Sequence, residues 1–387
     1  MIRVLHLQGP SNWGGNLEGI RTLSRAMDST RFQPILGGPA SSGYLAKFEA
    51  DGIETADIPW TSRWDARGMH RLHQVLRRRG IDLIHSHVRL TDWLGGAGSR
   101  MIGLPCVSSL HAPFQYANDL TPLRDGSLPL HGWVLRNLVD HVITVSSALR
   151  DDAIRLLKLS PDRVTHVING IDPQWGSSAA DPDLAREHLS LPPRSPVLLH
   201  VGWFGPRKGQ MDLINALPQV LEQVESACCV FVGEGKLWEQ CKERVRELGV
   251  SDSVRFLGFR DDVSDLMSAA DVVVLPSYSE GLPRVLLEAG LMGKPVVSTR
   301  VDGIKELVIE GETGVLVEAG DHVALAEAMV VLLCDPDRAE RMGDAARLRV
   351  LTSFSSHQMA RETEEIYCRI LAQRRVMIPM SASVTYR

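Results

Sequence analysis

Residues 271–297 read DVVVLPSYSEGLPRVLLEAGLMGKPVV and carry two glutamates, Glu280 and Glu288, eight positions apart. Residues 272–275 form a β-branched run suited to a buried strand, residues 276–282 a loop, and Pro283 suits a first helical turn, where its missing N–H is no loss. The helix is expected to run through Glu288 and stop near Gly293, with Pro295 barring its continuation. A strand, a glycine-containing loop and a helix start make an anion site at the carboxyl edge of a parallel sheet, with phosphate or pyrophosphate as its natural guest. An acid in such a loop is repelled by phosphate and is better suited to accept hydrogen bonds from hydroxyl groups. Two glutamates bracketing the helix start would each find a diol on a sugar nucleotide. Glu288 stands among Leu286, Leu287 and Ala289, where an unpaired carboxylate is costly. The plainer alternative is a surface loop acid and a solvated helix residue.

A doubly wound α/β scaffold would position these groups. Short apolar runs recur at 4–7, 81–84, 107–110, 142–145 and 164–168, with helical patterns between them; a second series covers 197–201, 229–232, 254–257, 272–275 and 296–298. Strands apolar on both faces suit parallel sheets. Between the two series, Asp172-Pro173, Gly176-Ser177-Ser178, Asp181-Pro182 and Leu191-Pro192-Pro193 mark a breaker-rich connection. The expectation is two Rossmann-like domains facing a central cleft: 1–172, a linker at 173–195, and 196–372, whose last helix can return to the first domain, followed by a tail at 373–387. The last helical patterns lie near 322–333 and 357–371.

The 387 residues suit two domains of about 150 each. Composition, 44% hydrophobic and 23% charged, is that of a globular chain, and the net charge of −5 argues against nucleic acid as the main partner. Six cysteines include no C-x-x-C pair, so reduced thiols are expected rather than a zinc knuckle or disulfide framework. The opening Met1-Ile2-Arg3-Val4-Leu5-His6-Leu7 is too short an apolar run for a signal peptide, and no stretch approaches about 20 apolar residues. A cytoplasmic protein, peripheral to a membrane at most, is the expectation.

The E-x7-E segment resembles the retaining glycosyltransferases of the GT-B fold, family 4, also called glycosyl transferases group 1. The resemblance spans nearly the whole chain: Gly14-Gly15, His111, Val145-Ser146 and Asn169-Gly170-Ile171-Asp172, then Val201-Gly202 through Lys208-Gly209, Gly233-Glu234-Gly235, Phe256-Leu257-Gly258, Asp271 and Gly311-Glu312-Thr313-Gly314. It implies a nucleotide-diphosphate sugar on the second domain and an acceptor, glycan, lipid-linked or small, on the first, with no metal and no cofactor beyond the donor. Lys208, with Arg207 beside it, would meet the diphosphate and offset charge on the leaving group. The family often has arginine after the glycine matching Gly202; here Trp203 stands there, and Arg207 is a substitute. Glu280 and Glu288 would bind hydroxyls of the donor, with Gly281 and Leu282 in the same loop. Gly14 and Gly15 would admit the distal phosphate or the acceptor, and a tight turn is the alternative. Gly233, Gly235, Gly258, Phe259 and Arg260 end consecutive strands, where base and ribose would rest. His111 would bond a hydroxyl of the transferred sugar; His85 and His87 point the same way on an extended chain and, with Asn169, are assigned to acceptor contacts or structure.

A retaining transfer, through an oxocarbenium-like state with the acceptor arriving on the departing side, is inherited from that resemblance. Neither a G-x-G-x-x-G nor a Walker A motif occurs, and the Asp181-Pro182-Asp183 and Asp335-Pro336-Asp337 look-alikes of a D-x-D metal motif fall in connections. The segment 63–79, from Arg63 to Arg79, sets Arg67, Arg71, Arg77 and Arg78 against Met69, Leu72, Val75 and Leu76 at helical spacing. It reads as a solvated cationic face or as a contact for anionic lipid. Rival functions on the same architecture are an inactive sugar-nucleotide binding protein, an epimerase and a phosphorylase.

Overall fold

The computed structural model describes residues 1–10, 14–60, 62, 65–113, 127–191 and 195–377. These divide into two compact units, one made of residues 1–111, the chain leading to Gly170 and the helix Ser356–Met377, the other running from Ile171 to Ser355. In the first unit the strands are β1 (Ile2–Leu7), β2 (Phe32–Gly38), β3 (Glu54–Asp57), β4 (Leu83–Ser86), β5 (Cys106–Leu110), β6 (His141–Thr144) and β7 (Val164–His166). They form one parallel sheet in the order β3-β2-β1-β4-β5-β6-β7.

The second unit holds β8 (Val197–Val201), β9 (Cys228–Val232), β10 (Val254–Phe256), β11 (Val272–Leu275), β12 (Val296–Thr299) and β13 (Gly314–Val317), parallel in the order β10-β9-β8-β11-β12-β13. Each sheet therefore reverses its winding once, between β1 and β4 and between β8 and β11. At such a point the loops leaving neighbouring strands diverge and open a crevice at the carboxyl ends.

The expected strands form, and β2, β3 and β13 add to them. β2 is interrupted by Pro34, and β3 reads Glu-Thr-Ala-Asp at the sheet edge with one buried residue, so neither offers an apolar run. The helix Pro336–Ser353 was also without an apolar signal; its interior is rich in charge. Both Asp-Pro-Asp stretches start helices: Asp181 accepts from Asp183 N–H at 3.0 Å ahead of Pro182–His188, and Asp335 accepts from Arg338 N–H at 2.9 Å.

The domain limits differ from those expected at the linker. The stretch 173–195 is folded onto the second unit: Arg186, on the helix Pro182–His188, donates to Asp271 at 2.7 Å, Ala269 O at 3.1 Å and Ser195 O at 2.9 Å. The last helix, counted with 196–372 but expected to be able to return to the first domain, belongs to the first unit. Its Met359, Ile366, Tyr367 and Ile370 are buried among Val4, Leu83, Val107 and Ile143, and Glu364 accepts from Asp28 N–H at 2.7 Å. Arg63, Pro192, Pro193 and the tail from 378 onward lie outside the described residues.

Candidate functional site

In the second unit the loops leaving β8 and β11, on either side of the crossover, bring Lys208 and Glu280 together. Lys208 closes a 3-10 turn, Pro206–Lys208, and the helix Gln210–Gln223 begins just beyond it. Gly209 between them has φ +68°, and a Cβ there would fall 2.0 Å from Pro276 O, so only glycine lets the two loops touch. Tyr278 N–H donates to Arg207 O at 2.8 Å, a second tie between the same loops. Lys208 Nζ then lies 2.6 Å from Glu280 Oε1, with the lysine side chain 16% and the glutamate 7% exposed.

Glu280 Oε1 also accepts from Ser277 Oγ at 2.7 Å, and Thr299 Oγ1 donates to Ser277 O. Glu280 Oε2 has no hydrogen-bond partner among the described residues. Below the pair, His200 is buried at the end of β8, and burial lowers its pKa to about 4. Neutral His200 donates from Nδ1 to Val274 O at 2.9 Å, so its Nε2 accepts from Gln210 Nε2 at 3.2 Å. Gln210 Nε2 also donates to Trp203 O at 2.9 Å. The floor of the crossover is thus a fixed polar assembly that the sequence reading missed; a histidine inside the apolar run of β8 was the available signal.

The remaining second-unit assignments fall as follows. Arg207 is half-buried, with no ion pair or hydrogen bond from its guanidinium among the described residues. Trp203, where an arginine was expected, is 40% exposed, and its ring lies over Gly205. The helix Arg284–Leu291 follows Pro283 as expected, and Glu288 on it is buried and accepts from Arg284 Nε at 2.9 Å. This i,i+4 pair meets the requirement for a partner that burial imposes. Gly281 and Leu282 are buried. Gly233, Gly235 and Gly258 sit where the loops after β8, β9 and β10 join: Gly202 N–H donates to Val232 O at 2.9 Å, Phe204 N–H to Glu234 O at 2.8 Å and Gly233 N–H to Gly258 O at 2.8 Å. Gly233, at φ +126°, would place a Cβ 2.1 Å from Gly202 O. Phe259 is 46% exposed, and Arg260 Nε donates to Asp262 at 2.8 Å.

In the first unit the crossover lies between β1 and β4. Gly14 caps the helix Gly15–Ala26 in extended backbone with no side-chain cap, and a Cβ at Gly14 would meet nothing within 4 Å. Packing among the described residues therefore does not require glycine there. His111 follows β5, partly exposed, with its pKa lowered to about 4 by burial. Its Nε2 lies 3.0 Å from His87 Nδ1. Asn169 is half-buried beyond β7.

Of the two uses expected for His85 and His87, acceptor contacts or structure, their surroundings favour the structural one. Both are buried, and both rings are fully engaged: His85 Nδ1 with Tyr367 Oη at 2.5 Å and Nε2 with Ser109 Oγ at 2.8 Å, His87 Nδ1 with His111 and Nε2 with His6 Nδ1 at 3.0 Å. They face inward because their strand is central, with β1 and β5 as neighbours. His6, which the sequence reading missed, stands opposite His85 in the β1–β4 register. His6, His85 and His87 hold ligand-type nitrogens within 4.8 Å of one another, but the bonds just named already occupy those of His85 and His87. Beside them buried Asp92 accepts from Ser86 and Ser108 hydroxyls, each at 2.6 Å, and pairs with His131 Nε2 at 2.8 Å.

Two family models match this chain: Glycosyltransferase Family 4 over residues 13–175 and Glycosyl transferases group 1 over residues 182–349. Alpha-maltose-1-phosphate synthase of Mycolicibacterium smegmatis is 34% identical over 325 residues, 78% of this chain and 82% of the relative. The chain belongs to the group 1 glycosyltransferases. N-acetyl-alpha-D-glucosaminyl L-malate synthase of Bacillus anthracis is 30% identical over 311 residues, 78% of each chain. In structure, Anabaena Alr3699/HepE in complex with UDP-glucose matches with a TM-score of 0.85 at 23% identity, over 95% of this chain and 100% of that one. The group 1 glycosyltransferase described here therefore has the GT-B fold. Its Lys208–Glu280 pair and its histidines lie at the crossovers of the two sheets, where ligands bind in open α/β folds. Among the described residues no helix is long and apolar enough to cross a membrane.

Proposed function

We propose that the protein is a retaining, metal-independent glycosyltransferase that moves a hexosyl group from a nucleotide-diphosphate sugar, of the UDP-glucose type, to a hydroxyl of a glycan, lipid-linked or small-molecule acceptor. The observation that carries this reading is the Lys208–Glu280 pair at the β8/β11 crossover, where Oε1 of Glu280 is occupied and Oε2 is left for a sugar hydroxyl. Lys208, with Arg207 beside it, neutralises charge on the diphosphate as the bond from the anomeric carbon to the phosphate oxygen breaks. The acceptor oxygen bonds that carbon on the same face, and its proton passes to the departing phosphate oxygen. Glu288, held by Arg284, accepts from the ribose. The loops at Gly233, Gly235 and Gly258 to Arg260 carry the base, and the uncapped helix start at Gly14 and Gly15 receives the distal phosphate or acceptor. His111 bonds a hydroxyl of the transferred sugar. The maltose phosphate and malate named for the two relatives, and the UDP-glucose bound by the Anabaena protein, support a UDP-sugar donor and leave a broad range of acceptors.

The acceptor surface belongs to the first unit in this reading, and an anionic membrane is its neighbour. On the helix Ala66–Arg78, Leu72, Val75 and Leu76 are buried while Arg67, Arg71, Arg77 and Arg78 are exposed; Arg79 is spent on Glu54 at 2.7 Å. The deciding experiment is a thermal-shift screen against UDP-, GDP- and ADP-sugars followed by transfer assays. The expected result is stabilisation by one nucleotide class. It is accompanied by a loss of at least about tenfold in transfer for each of Glu280→Ala, Glu288→Ala and Lys208→Ala. Folded variants with wild-type rates would refute the reading.

A further inference from the structure

The histidines of the first unit form a row: His6 Nδ1 lies 3.0 Å from His87 Nε2, and His87 Nδ1 lies 3.0 Å from His111 Nε2. The row starts at an atom with no partner, since His6 Nε2 is buried and makes no hydrogen bond among the described residues. It ends at His111 Nδ1, which likewise has no partner there but belongs to a partly exposed ring. We propose that His6 and His87 are positioning residues that lock His111 as its Nδ1–H tautomer, so that His111 presents a neutral N–H donor to an oxygen acceptor such as a hydroxyl of the transferred sugar.

A neutral imidazole has one N–H and one bare nitrogen, so each N···N contact in the row needs one proton, and the three rings must be polarised in the same direction. Only two arrangements satisfy both contacts. In the first, every ring is protonated on Nδ1: His6 donates to His87, His87 donates to His111, and His111 points its own Nδ1–H outward. In the second, every ring is protonated on Nε2, the donations run inward, and the last proton sits on His6 Nε2. That proton would be a buried N–H with no acceptor, the rarer and costlier kind of orphan, whereas the first arrangement leaves only a bare lone pair at the same atom. The unsatisfied end of the row therefore selects the outward polarity.

The surroundings keep the row neutral. Burial lowers His6 to about 3 and His111 to about 4, and it also lowers His87. His85 packs on His87 with ring centroids 4.2 Å apart, and its nitrogens are taken by Tyr367 and Ser109, so it neither feeds nor drains the row. Asp92, whose charge acts on His111, is engaged by Ser86, Ser108 and His131. An isolated histidine side chain in water favours Nε2–H; the row imposes the opposite form on His111.

The inference rests on the proposed function only for what His111 touches; the tautomer itself can be read without substrate. In full-length protein labelled with 15N-histidine, two-bond 1H–15N correlation spectra are expected to show His111 protonated on Nδ1 and bare on Nε2 at neutral pH. In His6→Asp, whose carboxylate oxygen takes the place of Nδ1 and can only accept from His87 Nε2, the row should reverse and the His111 signal change to Nε2–H, and transfer from UDP-glucose should fall about tenfold in kcat with little change in KM. In His6→Asn, whose amide nitrogen can occupy the place of Nδ1, the wild-type tautomer should return and the rate should recover to within about twofold. Nε2–H at His111 in the wild-type protein overturns the inference without recourse to any variant, as does a His6→Asp protein that keeps Nδ1–H. A protein without transferase activity but with Nδ1–H at His111 would instead refute the proposed function and leave the tautomer lock standing.

Discussion

Replacing Lys208 with methionine leaves Glu280 Oε1 with Ser277 Oγ alone. The broken contact is 2.6 Å long, between side chains 16% and 7% exposed. At that distance opposite unit charges attract by about 6 kcal/mol at an effective dielectric near 20, and withdrawing both from water offsets most of this gain. What the variant loses is dominated by the carboxylate left nearly buried without its cation, about 3 kcal/mol for a fully buried pair and about 2 kcal/mol here, because Ser277 still donates and the lysine end is partly wet. Glu280→Gln strands only a lysine that can turn toward solvent, so its expected cost is about 1 kcal/mol. Urea unfolding of the wild type, both single variants and the double variant closes a thermodynamic cycle, with an expected coupling of about 1 to 2 kcal/mol. Transfer from UDP-glucose by the same proteins is expected to fall at least tenfold in each single variant, about 1.4 kcal/mol of transition-state stabilisation. A coupling below about 0.5 kcal/mol would mean that the pair is a surface contact of little weight and would refute the argument. Undiminished transfer by Lys208→Met would remove the lysine from the chemistry.

Gly209→Ala is expected to cost about 2 kcal/mol or more and to lower transfer, because φ is +68° and the new Cβ falls 2.0 Å from Pro276 O; an unchanged urea midpoint counts against the close approach of the two loops. Stability should rise with pH between about 4 and 6.5 and level off above. The folded-state pKa values of His6, His111 and His200 lie at about 3, 4 and 4, below the 6.5 of the unfolded chain, so within that window the unfolded state binds more protons. Urea midpoints measured from pH 4.5 to 7.5 check this, and a flat profile would contradict it. Arg284→Met should destabilise the protein by about 2 kcal/mol by removing the cation from which buried Glu288 accepts, and Arg284→Met/Glu288→Leu should recover most of the loss; equal loss in both would point to packing instead. Arg67→Glu/Arg71→Glu/Arg77→Glu should abolish co-sedimentation with vesicles rich in anionic lipid while leaving neutral vesicles unaffected; identical binding would dismiss the membrane contact.

The strands of the two sheets were legible wherever both faces are buried, since a run such as Val272-Val273-Val274-Leu275 has few other uses. Edge strands such as Glu54–Asp57, wet on one face, carry no such run, and the charged helix Pro336–Ser353 shows little apolar stripe. The linker was misread because Asp-Pro pairs break one element and start the next with equal ease, and only packing against Asp271 and Ala269 reveals the second use. For the site, the E-x7-E spacing led to Glu280 and Glu288, but no local signal pairs Glu280 with a lysine 72 positions earlier.

By itself the sequence determined the α/β class, the two series of strands, the loop and helix that follow β11 and the membership that its ordered motifs carry. These depend on periodicity and local backbone chemistry, which short stretches of chain express on their own. The tertiary structure decided which groups lie at the crossovers, where the helix Ser356–Met377 goes, and that His85 and His87 face inward while His111 is left at the surface of its row. Strand register and the order of strands in the sheet set those outcomes. His6 meets His85 because β1 lies beside β4, a contact spanning 79 residues of chain that no local pattern encodes.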